Sequence, residues 1–217
     1  MSVDRVQKCE ATIGKLHVIS TGQQSPEELT AITEQIVHQA DVIHLREKSW
    51  SDKKMIQTIQ LLHSKGVPMD KLVVNHRVAI AHDMNTKGVQ LTHASIDQET
   101  VRRTYPNLNI GCSVHSVQEA IYAWRHGADY LVFGHVFRTR SKPGLPPKGL
   151  TELRKVVQHV NIPVLAIGGI TPENTPDVMQ AGASGIAVLS GILMAKNPLE
   201  KAAAYNEALQ KGGERNV

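Results

Sequence analysis

Short runs of aliphatic residues recur along the chain, each followed by a longer stretch in which apolar and polar positions mix at helical spacing. The runs are Leu16–Ser20, Asp41–Leu45, Leu72–Asn75, Gly88–Leu91, Asn109–Val114, Tyr130–Gly134, Pro163–Gly169 and Gly185–Leu189. Several are continuous Val, Ile and Leu rather than alternating, which is the pattern of strands covered on both faces in a parallel sheet. The intervening stretches carry helix-start signals. Ser25-Pro26-Glu27-Glu28 puts a capping residue before a proline and two acids, and Ser51-Asp52 opens the next helix, which Gly66 and Pro68 close. Thr171-Pro172-Glu173 and Asn197-Pro198-Leu199-Glu200 repeat the order of cap, then proline. Eight strand–helix units in about 200 residues fit one closed (β/α)8 TIM barrel, near the lower size of that fold. The alternative is an open doubly wound sheet, which often carries a Gly-rich first turn. Ser20-Thr21-Gly22-Gln23-Gln24 is not such a turn. The expected class is α/β, a single barrel domain over residues 1–217, with 1–15 as an N-terminal extension and 212–217 as a frayed tail.

Composition narrows the core and the partners. Hydrophobic residues make up 41% of the chain but aromatics only 4%, so the core must be aliphatic. The net charge of +4 is spread along the chain rather than clustered, and there are few rings to stack on bases, so no nucleic-acid partner is expected. No stretch approaches the ~20 apolar residues of a membrane span, and Met1 to Lys15 has no apolar run, so neither a membrane partner nor a signal peptide is expected. Cys9 and Cys112 have neither disulfide nor metal spacing, which suits a reducing cytoplasm. A homo-oligomer is compatible with this composition, which sets no oligomeric state.

In this fold the site lies at the C-terminal ends of the strands. The residues expected there are Arg46 and Lys48 after strand two, Asn75-His76-Arg77 after strand three, Thr92-His93 after strand four and Ser113-Val114-His115 after strand five. Gly134-His135 follows strand six, and the next loop brings Arg138, Arg140 and Lys142. Gly168-Gly169 ends strand seven and Ser190-Gly191 strand eight. Paired glycine-rich ends on the last two strands expose backbone N–H groups, the usual phosphate site of such barrels. Arg46, Lys48, Arg77 and Lys142 suit a second anionic group. His38, His63, His126 and His159 fall in helical stretches and read as surface residues. No His-x-His or His-Glu-x-x-His spacing occurs, so no metal is expected. His135 suits a general acid–base, since an imidazole exchanges protons near neutral pH; His115 is either a pocket residue or a packed core histidine.

Several segments carry a resemblance. They are His44-Leu45-Arg46-Glu47-Lys48, Val74-Asn75-His76-Arg77, Gly111-Cys112-Ser113-Val114-His115-Ser116, Gly127 to Phe137, Ile162 to Ile170 and Ala181 to Ile192. Together they resemble the thiamine phosphate synthase superfamily, and within it the thiazole tautomerase branch. The synthase branch joins a pyrimidine diphosphate to a thiazole phosphate with Mg²⁺. It reads Asn-Asp-Arg after strand three and Gly-Gln-Glu-Asp after strand four, whereas this chain has Asn75-His76-Arg77 and Thr92-His93-Ala94-Ser95. A histidine after strand six, here His135, is similar to the tautomerase branch. The resemblance implies an isomerase of thiamine biosynthesis that converts the exocyclic-alkene tautomer of carboxythiazole phosphate to the aromatic form. It implies no cofactor, phosphate on Gly168, Gly169, Ser190 and Gly191, and the rest of the small thiazole ligand near Arg46, Lys48, Asn75, Ser113, His115 and Lys142. The alternatives are a divergent thiamine phosphate synthase and a non-catalytic thiazole-phosphate-binding regulator.

Overall fold

Each of the eight apolar runs forms a strand: β1 (Leu16–Ile19), β2 (Val42–Leu45), β3 (Leu72–Asn75), β4 (Gly88–Leu91), β5 (Asn109–Val114), β6 (Tyr130–Gly134), β7 (Val164–Ile167) and β8 (Gly185–Val188). Every strand pairs in parallel with the next, and β8 returns to β1 in the register Leu16 to Ile186 and Val18 to Val188, closing the (β/α)8 barrel. The helices are α1 (Pro26–Ile36), α2 (Asp52–Ser64), α3 (Val78–Asp83), α4 (Gln98–Thr104), α5 (Val117–Arg125), α6 (Gly149–His159), α7 (Thr175–Gln180), the short α8 (Ser190–Leu193) and α9 (Pro198–Gly213). The structure is a computed structural model that describes residues 15–92 and 95–213. The expected N-terminal extension up to residue 14, Cys9, His93, Ala94 and residues 214–217 lie outside the described residues. No helix among the described residues is long and apolar enough to cross a membrane.

Local chemistry explains the boundaries. Ser25 and Glu28 form a reciprocal capping box at the start of α1, with Glu28 N donating to Ser25 Oγ at 3.1 Å and Ser25 N to Glu28 Oε2 at 2.8 Å. Ser51 accepts from Lys54 N in the same manner at α2. Asp41, expected as the first residue of β2, is instead a tie: its Oδ2 accepts the N–H groups of both Lys15 and Leu16 at 2.8 Å and anchors the entry of β1. The helix after β7 does not start at Pro172. Thr171 and Asn174 bond each other's backbone N–H groups across a turn, and α7 begins one turn later, with Pro176 in its first turn. Gly212 and Gly213 belong to α9 rather than to a frayed tail, because α9 packs along α7 and Gly212 abuts the Met179 side chain, where a Cβ would come to 2.9 Å.

Alternation along the strands divides the core into two layers. Leu16, Val18, Ile43, Leu45, Leu72, Val74, Val89, Leu91, Ile110, Cys112 and Val114 pack outward against the helices. Their neighbours therefore face the barrel axis. On the β6–β8 side the interior is apolar, filled by Tyr130, Val132, Leu165 and Ala187 with Ile19 of β1. On the β1–β5 side it is polar: His17, His44, Asn75 and Gln90 are all buried, and Gln90 Nε2 donates to Ser113 Oγ at 3.0 Å. The Tyr130 ring lies over its cross-strand neighbour on β5, and only a glycine at position 111 leaves room. A Cβ there would stand 2.2 Å from Tyr130 Cζ and 2.4 Å from Gln90 Oε1. At the bottom of the barrel, Arg102 donates to the carbonyls of Pro106, Leu108 and Gly127 and pairs with Asp129, which also accepts Ile110 N.

Gly111→Ala overpacks this interior contact. Denaturant unfolding is expected to show a loss of about 1–3 kcal/mol, and a variant as stable as the parent would mean that Tyr130 has room to move.

Candidate functional site

The C-terminal mouth of the barrel gathers most of the expected residues. After β2, Arg46 is half-buried and Lys48 exposed. Neither makes an ion pair among those recorded for the described residues. Arg77, which sequence reasoning grouped with them as an anion-binding residue, is instead a clamp. Its Nε meets Asp52 Oδ1 at 2.8 Å, and its Nη atoms donate to the carbonyls of Glu47 and Trp50, holding the β2–α2 loop. Between these cations sits His76 at φ 67°, a left-handed conformation that histidine adopts more readily than most residues. Its Nδ1 lies 2.8 Å from Ser95 Oγ, and Ser95 also accepts Thr92 N, so the β3 and β4 loops are stitched together. Burial, then Lys48, Arg46 and Arg77, push the His76 pKa down.

Two imidazoles stand at the ends of β5 and β6. His115 is half-buried, and its Nδ1 lies 2.6 Å from the carbonyl of Gly134. A carbonyl only accepts, so the proton is on Nδ1 and the Nε2 lone pair is left for other partners. His135 is only 5% exposed, and its Nε2 lies 3.3 Å from the carbonyl of Leu145. By the same reasoning Nε2 donates and Nδ1 carries the lone pair. Leu145 belongs to the β6–α6 loop, which also bears Lys142, half-buried. That loop folds back over His135 through Lys148 N to His135 O at 2.9 Å and Gly149 N to Val136 O at 3.0 Å. The peptide joining Gly134 to His135 is cis.

The strand-end glycines have a second duty that the sequence did not reveal. A Cβ on Gly168 would stand 2.2 Å from His135 Cβ, and one on Gly169 would stand 2.3 Å from Arg138 O. A Cβ on Gly134 would meet Ile167 O at 2.3 Å. Gly168 and Gly169 also have φ of 100° and 66°. These three residues let the β6 loop press onto the end of β7 and seat His135 there, with Val136 N and Phe137 N bonding Ile167 O and Gly168 O at 2.9 Å. On the adjacent strand, Ser190 and Gly191 open α8; Ser190 is exposed. None of the turn and cap hydrogen bonds among the described residues uses the N–H of Gly169, Ser190 or Gly191.

Sequence reasoning missed a buried pair below the mouth. His17 and His44 are 1% and 0% exposed, and His17 Nδ1 lies 2.8 Å from His44 Nε2. Burial, then the neighbouring His17, hold the His44 pKa well below 6.5, against a raising contribution from Asn75. The signal was available in the alternation of Leu16-His17-Val18-Ile19, which turns the one polar residue inward. Burial pushes the Cys112 thiol up to about 12, so it is an inert packing group.

A closed eight-stranded parallel barrel with its polar loops at the strand C-termini defines the (β/α)8 class, whose enzymes carry their sites at that face. More narrowly, residues 16–192 match the family described as thiamine monophosphate synthase, and the chain belongs to that family. It is 42% identical to the thiamine-phosphate synthase of Chloroflexus aurantiacus over 165 residues, covering 74% of this chain and 75% of that one. It is 38% identical to the thiamine-phosphate synthase of Pyrococcus furiosus over 184 residues, covering 84% and 88%. Among solved structures, the thiamine phosphate pyrophosphorylase of Pyrococcus furiosus superposes with a TM-score of 0.80 at 32% identity over 94% of this chain and 98% of that one.

The buried His44 gives stability a pH dependence. Above about 6.5 neither the folded nor the unfolded chain protonates it, and it contributes no slope. Below that value the unfolded chain takes a proton that the folded chain refuses. Stability therefore falls with acidity by ~1.4 kcal/mol per pH unit from this group until the folded pKa is reached. Unfolding midpoints between about pH 5 and 7.5 should show this slope, with its onset near the unfolded histidine pKa, and it should be shallower in His44→Gln. An identical slope in the variant would place the proton uptake elsewhere.

Proposed function

We propose that the chain is a thiazole tautomerase, an isomerase that converts the exocyclic-alkene tautomer of carboxythiazole phosphate to the aromatic thiazole carboxylate phosphate. The observation that carries the proposal is His135, an imidazole seated at the end of β6 by the absent Cβ of Gly168, with its Nδ1 lone pair unused. The reaction breaks a C–H bond at the ring carbon, moves its electron pair into the ring, and returns a proton to the terminal carbon of the exocyclic alkene. Aromatisation drives it, and one imidazole can act first as base and then, protonated, as acid. The phosphate rests on the free N–H groups of Gly169, Ser190 and Gly191 beside Gly168. The carboxylate and ring face Arg46, Lys48, Asn75, Ser113, His115 and Lys142.

A second reading is supported by the relatives, which are named thiamine-phosphate synthases at 38% and 42% identity. Synthase chemistry in this family needs carboxylates to hold Mg²⁺ on a diphosphate. The residues described here do not fit that ion. After β3 the ligand position is His76, an imidazole crowded by Lys48, Arg46 and Arg77, where that chemistry calls for a carboxylate. Incubating the protein with the thiazole tautomer, and separately with pyrimidine diphosphate, thiazole phosphate and Mg²⁺, separates the readings by chromatography. Rapid aromatisation with negligible thiamine phosphate is expected. Robust Mg²⁺-dependent thiamine phosphate formation would overturn the tautomerase reading.

His135→Asn is expected to lower turnover by roughly 10²–10⁴-fold with product affinity nearly unchanged. His115→Asn should cost less, because its Nδ1–H serves the Gly134 carbonyl. A folded His135→Asn protein with parental turnover would shift the proton transfer to His115.

Replacing Gly168 would not isolate the phosphate site, since the new side chain would strike His135. Ser190→Asp is the cleaner probe: it is exposed and sets a carboxylate against the bound phosphate. Calorimetry should show at least about tenfold weaker binding of thiazole phosphate, on the scale of one lost charge-assisted contact. Unchanged affinity would place the phosphate elsewhere.

A further inference from the structure

The buried imidazoles have no part in the proton transfer, yet they stand directly beneath a site residue. His17 Nδ1 and His44 Nε2 share one hydrogen bond at 2.8 Å, so one of these two nitrogens carries the proton. The other end of the His44 ring, Nδ1, is buried without a hydrogen-bond partner, and so is Asn75 Oδ1. The Asn75 side chain nevertheless lies close enough to the ring to act on it. The two unpaired atoms are complementary in only one arrangement. If His17 donates from Nδ1, His44 accepts at Nε2 and carries its own proton on Nδ1, where Asn75 Oδ1 can receive it after a small closing movement. If instead His44 donates from Nε2, a bare nitrogen lone pair faces a carbonyl oxygen, and two buried acceptors are left unsatisfied. Each such group costs about 1–3 kcal/mol. With the carboxamide oxygen facing His44, the first arrangement satisfies both atoms and leaves the Asn75 NH2 group directed to the open side, whereas the reverse tautomer is satisfied only with the carboxamide turned over. Arg46 and Lys48 end at the same mouth, and they too can only donate.

We propose that His17 is a positioning residue for ligand specificity. Acting through His44, it fixes the Asn75 carboxamide with its NH2 toward the mouth, so that the site requires an anionic oxygen on the ligand ring at that point. Carried to the substrate, that oxygen is the carboxylate of the thiazole, a step that rests on the tautomerase reading. The site then prefers carboxylated to uncarboxylated thiazole phosphate, and the preference originates in a residue that touches neither.

Nitrogen-15 spectra of the histidine rings test the chain without any ligand. His44 is expected as the neutral Nδ1–H tautomer in the parent and to lose that fixed tautomer in His17→Phe. Calorimetry with thiazole phosphate and with its ring-carboxylated form tests the consequence. His17→Phe should weaken binding of the carboxylated ligand about tenfold and leave the uncarboxylated one unchanged. His17→Gln keeps an N–H that can donate to His44 Nε2, so it should restore most of the preference. An Nε2–H tautomer of His44 in the parent, or equal losses for both ligands in a folded His17→Phe or His17→Gln protein, would overturn the proposal. If the parent binds neither ligand, the substrate reading fails, and the tautomer alone then decides for or against the His17–His44–Asn75 chain.

Discussion

The close approach of the β6 loop to the end of β7 is the contact on which the site depends. Three positions without a Cβ, Gly134, Gly168 and Gly169, allow backbone and side-chain atoms to come within distances that any larger residue would forbid. The hydrogen bonds of Val136 N and Phe137 N then extend the β6–β7 pairing beyond the last ladder residues. His135 is thereby attached to two strands at once, and its imidazole inherits the rigidity of the barrel rather than the mobility of a loop. Because the same glycines flank the N–H groups next to β8, the β7–β8 end of the mouth and the His135 end cannot move independently.

The barrel interior is divided in a way that suits this arrangement. Its β6–β8 half is apolar and incompressible, which gives the His135 seat a firm floor. Its β1–β5 half contains His17, His44, Asn75 and Gln90, polar groups that must find partners or remain costly. Fixed dipoles of this kind hold a ligand's orientation more sharply than an aliphatic wall, since each demands a matching donor or acceptor. The buried imidazoles are the part of this half whose partners matter most, since His44 is held neutral by burial and by its neighbour His17.

The barrel itself was legible in the chain. Eight aliphatic runs and the Ser25, Ser51 and Asn197 caps stand where the sequence placed them, because burial on both faces and capping chemistry are local properties. The misplacements have equally local causes. Asp41 looked like a strand residue until its carboxylate was found tying β1, and Pro172 looked like a helix start although Thr171 and Asn174 close a turn first. The site was legible in part. His135, Arg46, Lys48 and Asn75 do gather at the mouth, but Arg77 could not be told from an anion-binding arginine without knowing that three neighbouring oxygens already hold it. The roles of Gly168 and of His17 depend on contacts between segments far apart in the chain, which no spacing rule encodes.

The carbonyl of Leu145 above His135 carries one more consequence. With Nε2 held by a carbonyl of its own loop, the ring has one edge fastened and only the Nδ1 edge left over. The loop is thus a bearing for the ring: turning the imidazole over would require Leu145 to let go first, so the sequence between residues 138 and 148 sets which nitrogen the ring presents.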